Sequence, residues 1–420
     1  MSSLSRINDR DTCPQCGSDT PQDEGLKRWC DQCNWNLTSP RIAEDQDFLT
    51  RKYHQLGERR GRKMLAKLLA TPAADLQPRL SSDKVAAFAI AGGIHLLSLA
   101  IFITGLFVAF SGYPNLRPLV IGALCVGLAW LLLPRPISVP KKTIALDAFP
   151  AFKAFIDQIA IELGGAPVKH VVINEDFNAS YVVAGWRREP VLQIGLPLWI
   201  ALAPQERVAI TAHEIAHGYN GDSTRGFVIG SALGALDEWI GLLRPRHRAV
   251  TMSEVLASYV TRVLSLPLVA LQGLLFHLLW QEKQRSEYFA DYLAASIAGT
   301  PATVGLLSRV ALEEHLEDVL LRHAYSSAQS GSYILGLFRQ RIETLPDREW
   351  ERMRRGSEAE GAQLDSSHPP TAFRVAFLEA HTIAEPKLIV SAATVAAIDA
   401  EFRPLEEKLG RKLISRFARD

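Results

Sequence analysis

The chain has 420 residues, 48% hydrophobic and 22% charged, which is more than one small module requires. A formal net charge of +1 excludes bulk electrostatic affinity for nucleic acid. Positions 1–80 contain no apolar core of the kind a signal peptide needs.

Four of the five cysteines lie near the start of the chain, as Cys13-Pro-Gln-Cys16 and Cys30-Asp-Gln-Cys33. Two such turns place four thiolates tetrahedrally around zinc, and Gly17 suits the tight knuckle after the first pair. The pattern fits a metal clip in a reducing compartment better than a disulfide framework. We expect a zinc ribbon over residues 1–40, serving as a structural knob or as a docking module for another protein. Residues 41–84 read as a basic juxtamembrane helix (44–70) and a Pro-containing linker, the helix lying on anionic lipid or standing solvated.

Val85 to Phe110 carries no formal charge, and neither does Pro118 to Pro134. The first run exceeds the roughly 20 residues that a crossing needs, and the second falls at the short end of that range. The two read as a transmembrane hairpin over 85–134. Lys67, Arg79 and Lys84 precede it, Arg135, Lys141 and Lys142 follow it, and only Arg117 lies between. The positive-inside rule then puts both flanks in the cytoplasm.

Residues 147–163 show helical periodicity with a Gly164-Gly165 stop. Strands are expected at 168–173, 178–184 and 191–194. Pro204 then opens a helix carrying His213-Glu214-Ile-Ala-His217. Histidines four apart lie on one helix face and reach one metal ion, and Glu214 is placed to act on a water there. A catalytic zinc needs a third protein ligand and an open position. The helix at 282–298 offers Glu287 as that ligand and, one turn on, Asp291 to accept the spare N–H of a ligating histidine.

With these residues the sequence resembles the M48 family of integral-membrane zinc metallopeptidases. The resemblance covers about residues 140–380 and includes Asn220-Gly-Asp222, Asn178-Ala179 and Ser366-Ser-His368-Pro-Pro with Arg374. It implies a mainly α fold with a small β-sheet: a zincin-type (gluzincin) peptidase domain at 135–380 attached to the transmembrane hairpin, with the ribbon as an addition. By resemblance His213, His217 and Glu287 bind catalytic zinc, and Glu214 is the general base for peptide hydrolysis. His368 stands near the metal and Arg374 supports it. A substrate strand pairs along Val191, Leu192, Gln193 and Ile194. Two zinc ions are expected, one catalytic and one structural.

Two further apolar stretches, 226–243 and 263–280, lie between His217 and Glu287. If both residues serve one metal, the number of membrane crossings between them is even, so both stretches span or neither does. Asp237 and Glu238 weigh against insertion at about 2.5–3.5 kcal/mol each. Residues 346–366 read as a polar loop or mobile cover, and 381–420 as a helical tail. The expected protein is an integral membrane endopeptidase of a bacterial inner membrane. Its termini and active site are cytoplasmic, and it acts on peptide or protein substrates, in quality control by resemblance. The competing readings are a dedicated processing protease and a catalytically silent, ribbon-bearing membrane adaptor.

Overall fold

The computed structural model describes residues 12–21, 23, 25–37, 48–77, 81–131, 133, 138–219, 222–243, 251–323, 330–359 and 368–419. Asn220, Gly221, Ser366 and Ser367 lie outside these. The described chain is mostly helical with one small mixed sheet.

Residues 12–37 form the ribbon, in which Gly17 adopts φ 75°, a left-handed turn that a Cβ resists. Helix α1 (Phe48–Leu69) follows. Its Met64, Leu65 and Leu68 pack against Tyr288, Phe289 and Phe377, so the basic helix is docked along one apolar stripe rather than solvated all round. Helix α2 (Ser82–Ser111) is capped by the Ser81 hydroxyl, which accepts from the Lys84 amide. Helix α3 (Leu116–Leu131) turns back along it. A Cβ on Gly122 would fall 2.5 Å from the Gly105 carbonyl oxygen, so the two backbones touch where each lacks a side chain.

Helix α4 (Pro150–Glu162) buries Phe152, Phe155, Ile156 and Ile159 and stops at Gly164, φ 66°. Strands β1 (His170–Asn174), β2 (Ala179–Ala184) and β3 (Glu189–Gly195) form a sheet in the order β1-β3-β2, parallel between β1 and β3 and antiparallel between β3 and β2. This corrects one expectation. Residues Val191, Leu192, Gln193 and Ile194 lie on the central strand, paired on both sides, so no peptide can add there. The free edge beside the following helices is β2.

A short helix α5 (Leu196–Ala201) leads to α6 (Pro204–Tyr219), α7 (Asp222–Leu243) and the 47-residue α8 (Met252–Ala298). At 1.5 Å per residue α8 is about 70 Å long. Its first half presents Val255, Leu256, Tyr259, Val263 and Leu266 outward, while its last turns are buried in the main core. Helices α7 and α8 form one out-and-back excursion packed on α2. Ala87, Ala91 and Ile94 of α2 meet Ile229, Ala232, Leu233 and Leu236 of α7 and Leu275 of α8. Asp237 accepts a hydrogen bond from Gln272 at 2.7 Å, which gives one of the two acids a partner on the returning helix. Helices α2 and α8 are each long and apolar enough to cross a bilayer; α3 has a shorter apolar stretch, Leu116–Trp130.

The chain continues with α9 (Thr300–Arg309), α10 (Glu313–His323), α11 (Gly331–Glu343), α12 (Asp347–Ala359), α13 (Thr371–Ala380) and α14 (Ala392–Phe417). Most of the expected loop at 346–366 is therefore α12. Glu351 pairs with both Arg354 and Arg355 at helical spacing, and Met353 is buried, so a polar sequence sustains a helix. Helix α14 places Ile398, Phe402, Leu409 and Leu413 in the same core as α4 and α5, so the tail is part of the domain framework.

The ribbon is held against α10–α12 by arginines donating to its backbone carbonyls. Arg348 reaches Trp29 O at 2.7 Å, Arg352 reaches Leu37 O at 3.2 Å, Arg355 reaches Asp31 O at 2.5 Å and Arg341 reaches Gly25 O at 2.5 Å. The guanidinium groups of Arg348 and Arg355 each lie 5.4 Å from the centre of the buried Trp29 ring.

Candidate metal centre

Helix α6 is positioned by its own first turn and its apolar face. The Ala203 amide donates to Glu206 Oε2 at 2.7 Å, and Val208, Ala209, Ala212 and Ile215 are buried in the core. That burial turns His213, Glu214 and His217 toward the last turns of α8.

The Nε2 atoms of His213 and His217 stand 3.2 Å apart. Glu287 Oε2 is 3.6 Å from His213 Nε2, and its Oε1 is 3.7 Å from His217 Nε2. Ligand atoms about 2.0–2.1 Å from a tetrahedral ion lie roughly 3.4 Å from one another, so this triangle fits zinc. The donor set, two imidazoles and one carboxylate, leaves one tetrahedral corner for water or substrate. Glu214, beside the first histidine, is buried at the same site.

The support is layered. His213 Nδ1 lies 3.1 Å from Asp291 Oδ1, which fixes the imidazole with Nε2 toward the triangle. Asp291 in turn accepts two hydrogen bonds from Arg374, at 2.7 and 2.6 Å. Arg374 therefore braces Asp291; a bidentate fork suits a carboxylate. His368 does reach the site: its Nδ1 is 2.6 Å from Glu287 Oε2, and the side chain is about half exposed.

Burial opposes protonation of His213, yet the adjacent carboxylates of Asp291 and Glu287 outweigh this and raise its pKa to about 10. Glu287 and Asp291 are both buried beside the imidazoles, an anionic surrounding that a divalent cation would neutralise. His217 is shifted downward by burial, which keeps its imidazole neutral and able to donate a lone pair.

One neighbour escapes a reading of sequence spacing. A Cβ on Gly218 would fall 2.5 Å from the Tyr181 ring, so a larger residue after the second histidine would displace that ring where β2 lies against α6. Burial raises the Tyr181 phenol. The only local signal is a glycine in the last turn of α6, where alanine is the stronger helix former.

The second donor cluster is Cys13, Cys16, Cys30 and Cys33. Sγ–Sγ separations of 3.6 Å (13 to 33) and 3.5 Å (16 to 30) are far beyond a disulfide bond and close to the edge of a tetrahedral zinc thiolate site. Hydrogen bonding with Ser18 lowers the Cys16 thiol to about 6, while desolvation and the neighbouring thiols raise Cys33 to about 12, so one thiolate is favoured and the other is not.

The model of peptidase family M48 matches residues 153–382. The chain belongs to peptidase family M48. That match takes in α6, the sheet, the Glu287 turn of α8, His368 and Arg374, while the ribbon, α1 and α2–α3 precede it. Among curated proteins this M48 chain is similar to protease HtpX of Pseudomonas putida strain GB-1, 25% identical over 158 residues that make up 36% of this chain and 53% of that protein. Protease HtpX of strain W619 is 28% identical over 159 residues, again 36% and 53%. The chain spans about half the length of these relatives. No solved structure matches it.

Proposed function

We infer that this M48 chain is a membrane-anchored zinc endopeptidase. The reading rests on one observation: two histidines of α6 and a carboxylate of α8, far apart in sequence, meet at tetrahedral ligand spacing with Glu214 buried beside them.

His213, His217 and Glu287 would hold the ion, and zinc at such a site supplies Lewis acidity toward a carbonyl and an acidified water. Glu214 takes the proton from the attacking water and delivers it to the leaving amine. Asp291, braced by Arg374, keeps His213 oriented. His368, at the exposed rim, is placed to donate toward the oxygen of the scissile carbonyl as negative charge develops on it. The extended substrate backbone adds to the free edge of β2, next to α6, in place of the paired central strand.

The anchor is the bundle of α2, α3, α7 and α8. Its outward side chains include Leu96, Ile103, Phe107 and Phe110 on α2, Val120, Ile121 and Leu124 on α3, and Leu264 and Val269 on α8. A belt of this kind is suited to hydrocarbon rather than water. Lys67, Lys84, Lys141 and Lys142 flank the pair of α2 and α3, with Arg117 alone between, which orients the metal centre and ribbon toward the cytoplasm of a bacterial inner membrane. The exposed zinc corner and an edge strand that reads backbone suit broad substrates, as membrane-protein quality control demands. The ribbon zinc is structural, and its docked position makes it part of the enzyme body.

Casein hydrolysis or self-cleavage in detergent, compared between wild type and Glu214→Gln with and without chelator, tests the reading. Loss in the variant and on chelation supports it; equal, chelator-insensitive activity in both removes it.

A further inference from the structure

The β2–β3 hairpin ends in a tight turn, Gly185-Trp186-Arg187-Arg188, closed by the Arg188 amide donating to Gly185 O at 3.1 Å. Gly185 has φ 67° and Arg188 has φ 53°, so the turn is held in a conformation L side chains rarely adopt. Trp186 stands at its apex with 80% of its surface exposed, and Arg187 and Arg188 are exposed beside it. A large aromatic ring left in water at a rigid tip is not used by the metal centre and packs on nothing in the core.

The surroundings give this tip a direction. A Cβ on Gly185 would fall 3.3 Å from Val139, which packs with Ala184, Val172 and Val191. Val139 follows the last residue of α3, Leu131, by eight positions. Eight residues span at most about 28 Å fully extended, which bounds the distance from Val139 to the end of α3. Lys141 and Lys142, both exposed, come next in that segment. The local acid, Glu189, is engaged by His170 at 3.0 Å and Lys169 at 3.5 Å.

We propose that the 185–188 tip is a third membrane contact, in which Trp186 enters the headgroup layer and Arg187 and Arg188 bind the phosphates of anionic phospholipid. A tryptophan at the boundary between apolar and wet layers, flanked by cations, is the side-chain set that this environment favours. The contact fixes the tilt of β2, whose opposite end lies against Gly218, relative to the bilayer. The proposal rests on the membrane-anchored reading above.

The test uses the full chain reconstituted into phosphatidylcholine–phosphatidylglycerol vesicles in which the phosphatidylcholine carries bromine near the headgroup end of its acyl chains. Emission belonging to Trp186 is the difference between wild type and Trp186→Phe; Trp130→Phe gives the same quantity for the ring near the end of α3. The expected result is that roughly half or more of the Trp186 emission is quenched by the brominated lipid, with little quenching by aqueous iodide. Arg187→Glu combined with Arg188→Glu is expected to reduce that quenching, and only in vesicles containing phosphatidylglycerol. Quenching of Trp130 alone, with Trp186 open to iodide, overturns the tip contact and leaves the anchor intact. Failure to quench either ring overturns the anchored reading with it. Charge reversal without effect overturns the role given to anionic phosphate.

Discussion

The two donor clusters make an instructive pair. The cysteines lie close together in the chain, between Cys13 and Cys33, in a module whose few buried side chains include Trp29 and Leu37. The His213–His217–Glu287 set draws on α6 and α8, with the whole of α7 between them, and sits inside the largest core of the molecule. A ribbon of that size depends on its metal and on the arginines of α10–α12 for its shape. The triangle of α6 and α8 is held by packing whether or not an ion binds, and Asp291 with Arg374 aims its ligands. On the proposed reading, one cluster would use metal to make structure, and the other would use structure to present metal.

The comparison is broken most forcefully at Glu214. Glu214→Gln is expected to lower hydrolysis by about 100-fold or more, with bound zinc and thermal stability unchanged. A parallel fall in zinc content would show that the residue holds the site together instead. Next comes Cys30→Ser, at a fully buried thiol. We expect the chain to lose one of two zinc ions and to gain protease cleavage within 12–37, with hydrolysis retained in detergent; mass spectrometry of the fragments reads the cleavage. Resistance of the ribbon to protease would contradict its dependence on metal.

A finer cut separates aim from framework. Asp291→Asn should weaken zinc affinity at the histidine site by about 10–100-fold while leaving the cysteine site unchanged, as measured by competition with a chromophoric chelator. The smallest effect concerns the dock. Burial would raise Glu349, but hydrogen bonds with His315 and Arg352 lower it below the ordinary carboxylate value. Its contribution is therefore complete above that value and is lost as pH falls below it. Hydrogen exchange in 25–37 should rise in acid below about pH 4.5, and Arg348→Ala should bring the rise to higher pH.

Much of the site was legible in the sequence because its determinants are local. Spacing of four positions on α6 and again on α8 puts each pair on one face, and the Cys-x-x-Cys turns do the same for the ribbon. The three strands were legible too, but their order was not. Nothing in the alternation of 191–194 tells a central strand from an edge, since pairing is decided by β1 and β2, which lie outside that stretch. Helix α12 was hidden by its composition: a run of Glu and Arg reads as solvent-exposed until Glu351, Arg354 and Arg355 are seen to pair. Arg374 was expected at the site, but its fork onto Asp291 could not be read from the sequence, because the two lie 83 positions apart. The arginine dock leaves no local pattern, as its acceptors are backbone carbonyls.

Zinc-edge X-ray absorption of the purified full chain tests the central claim most directly. The account predicts two zinc ions per chain and a mixed spectrum, half of it a sulfur-only shell at about 2.3 Å and half a nitrogen and oxygen shell at about 2.0–2.1 Å. A spectrum with sulfur alone, from one zinc per chain, would contradict it.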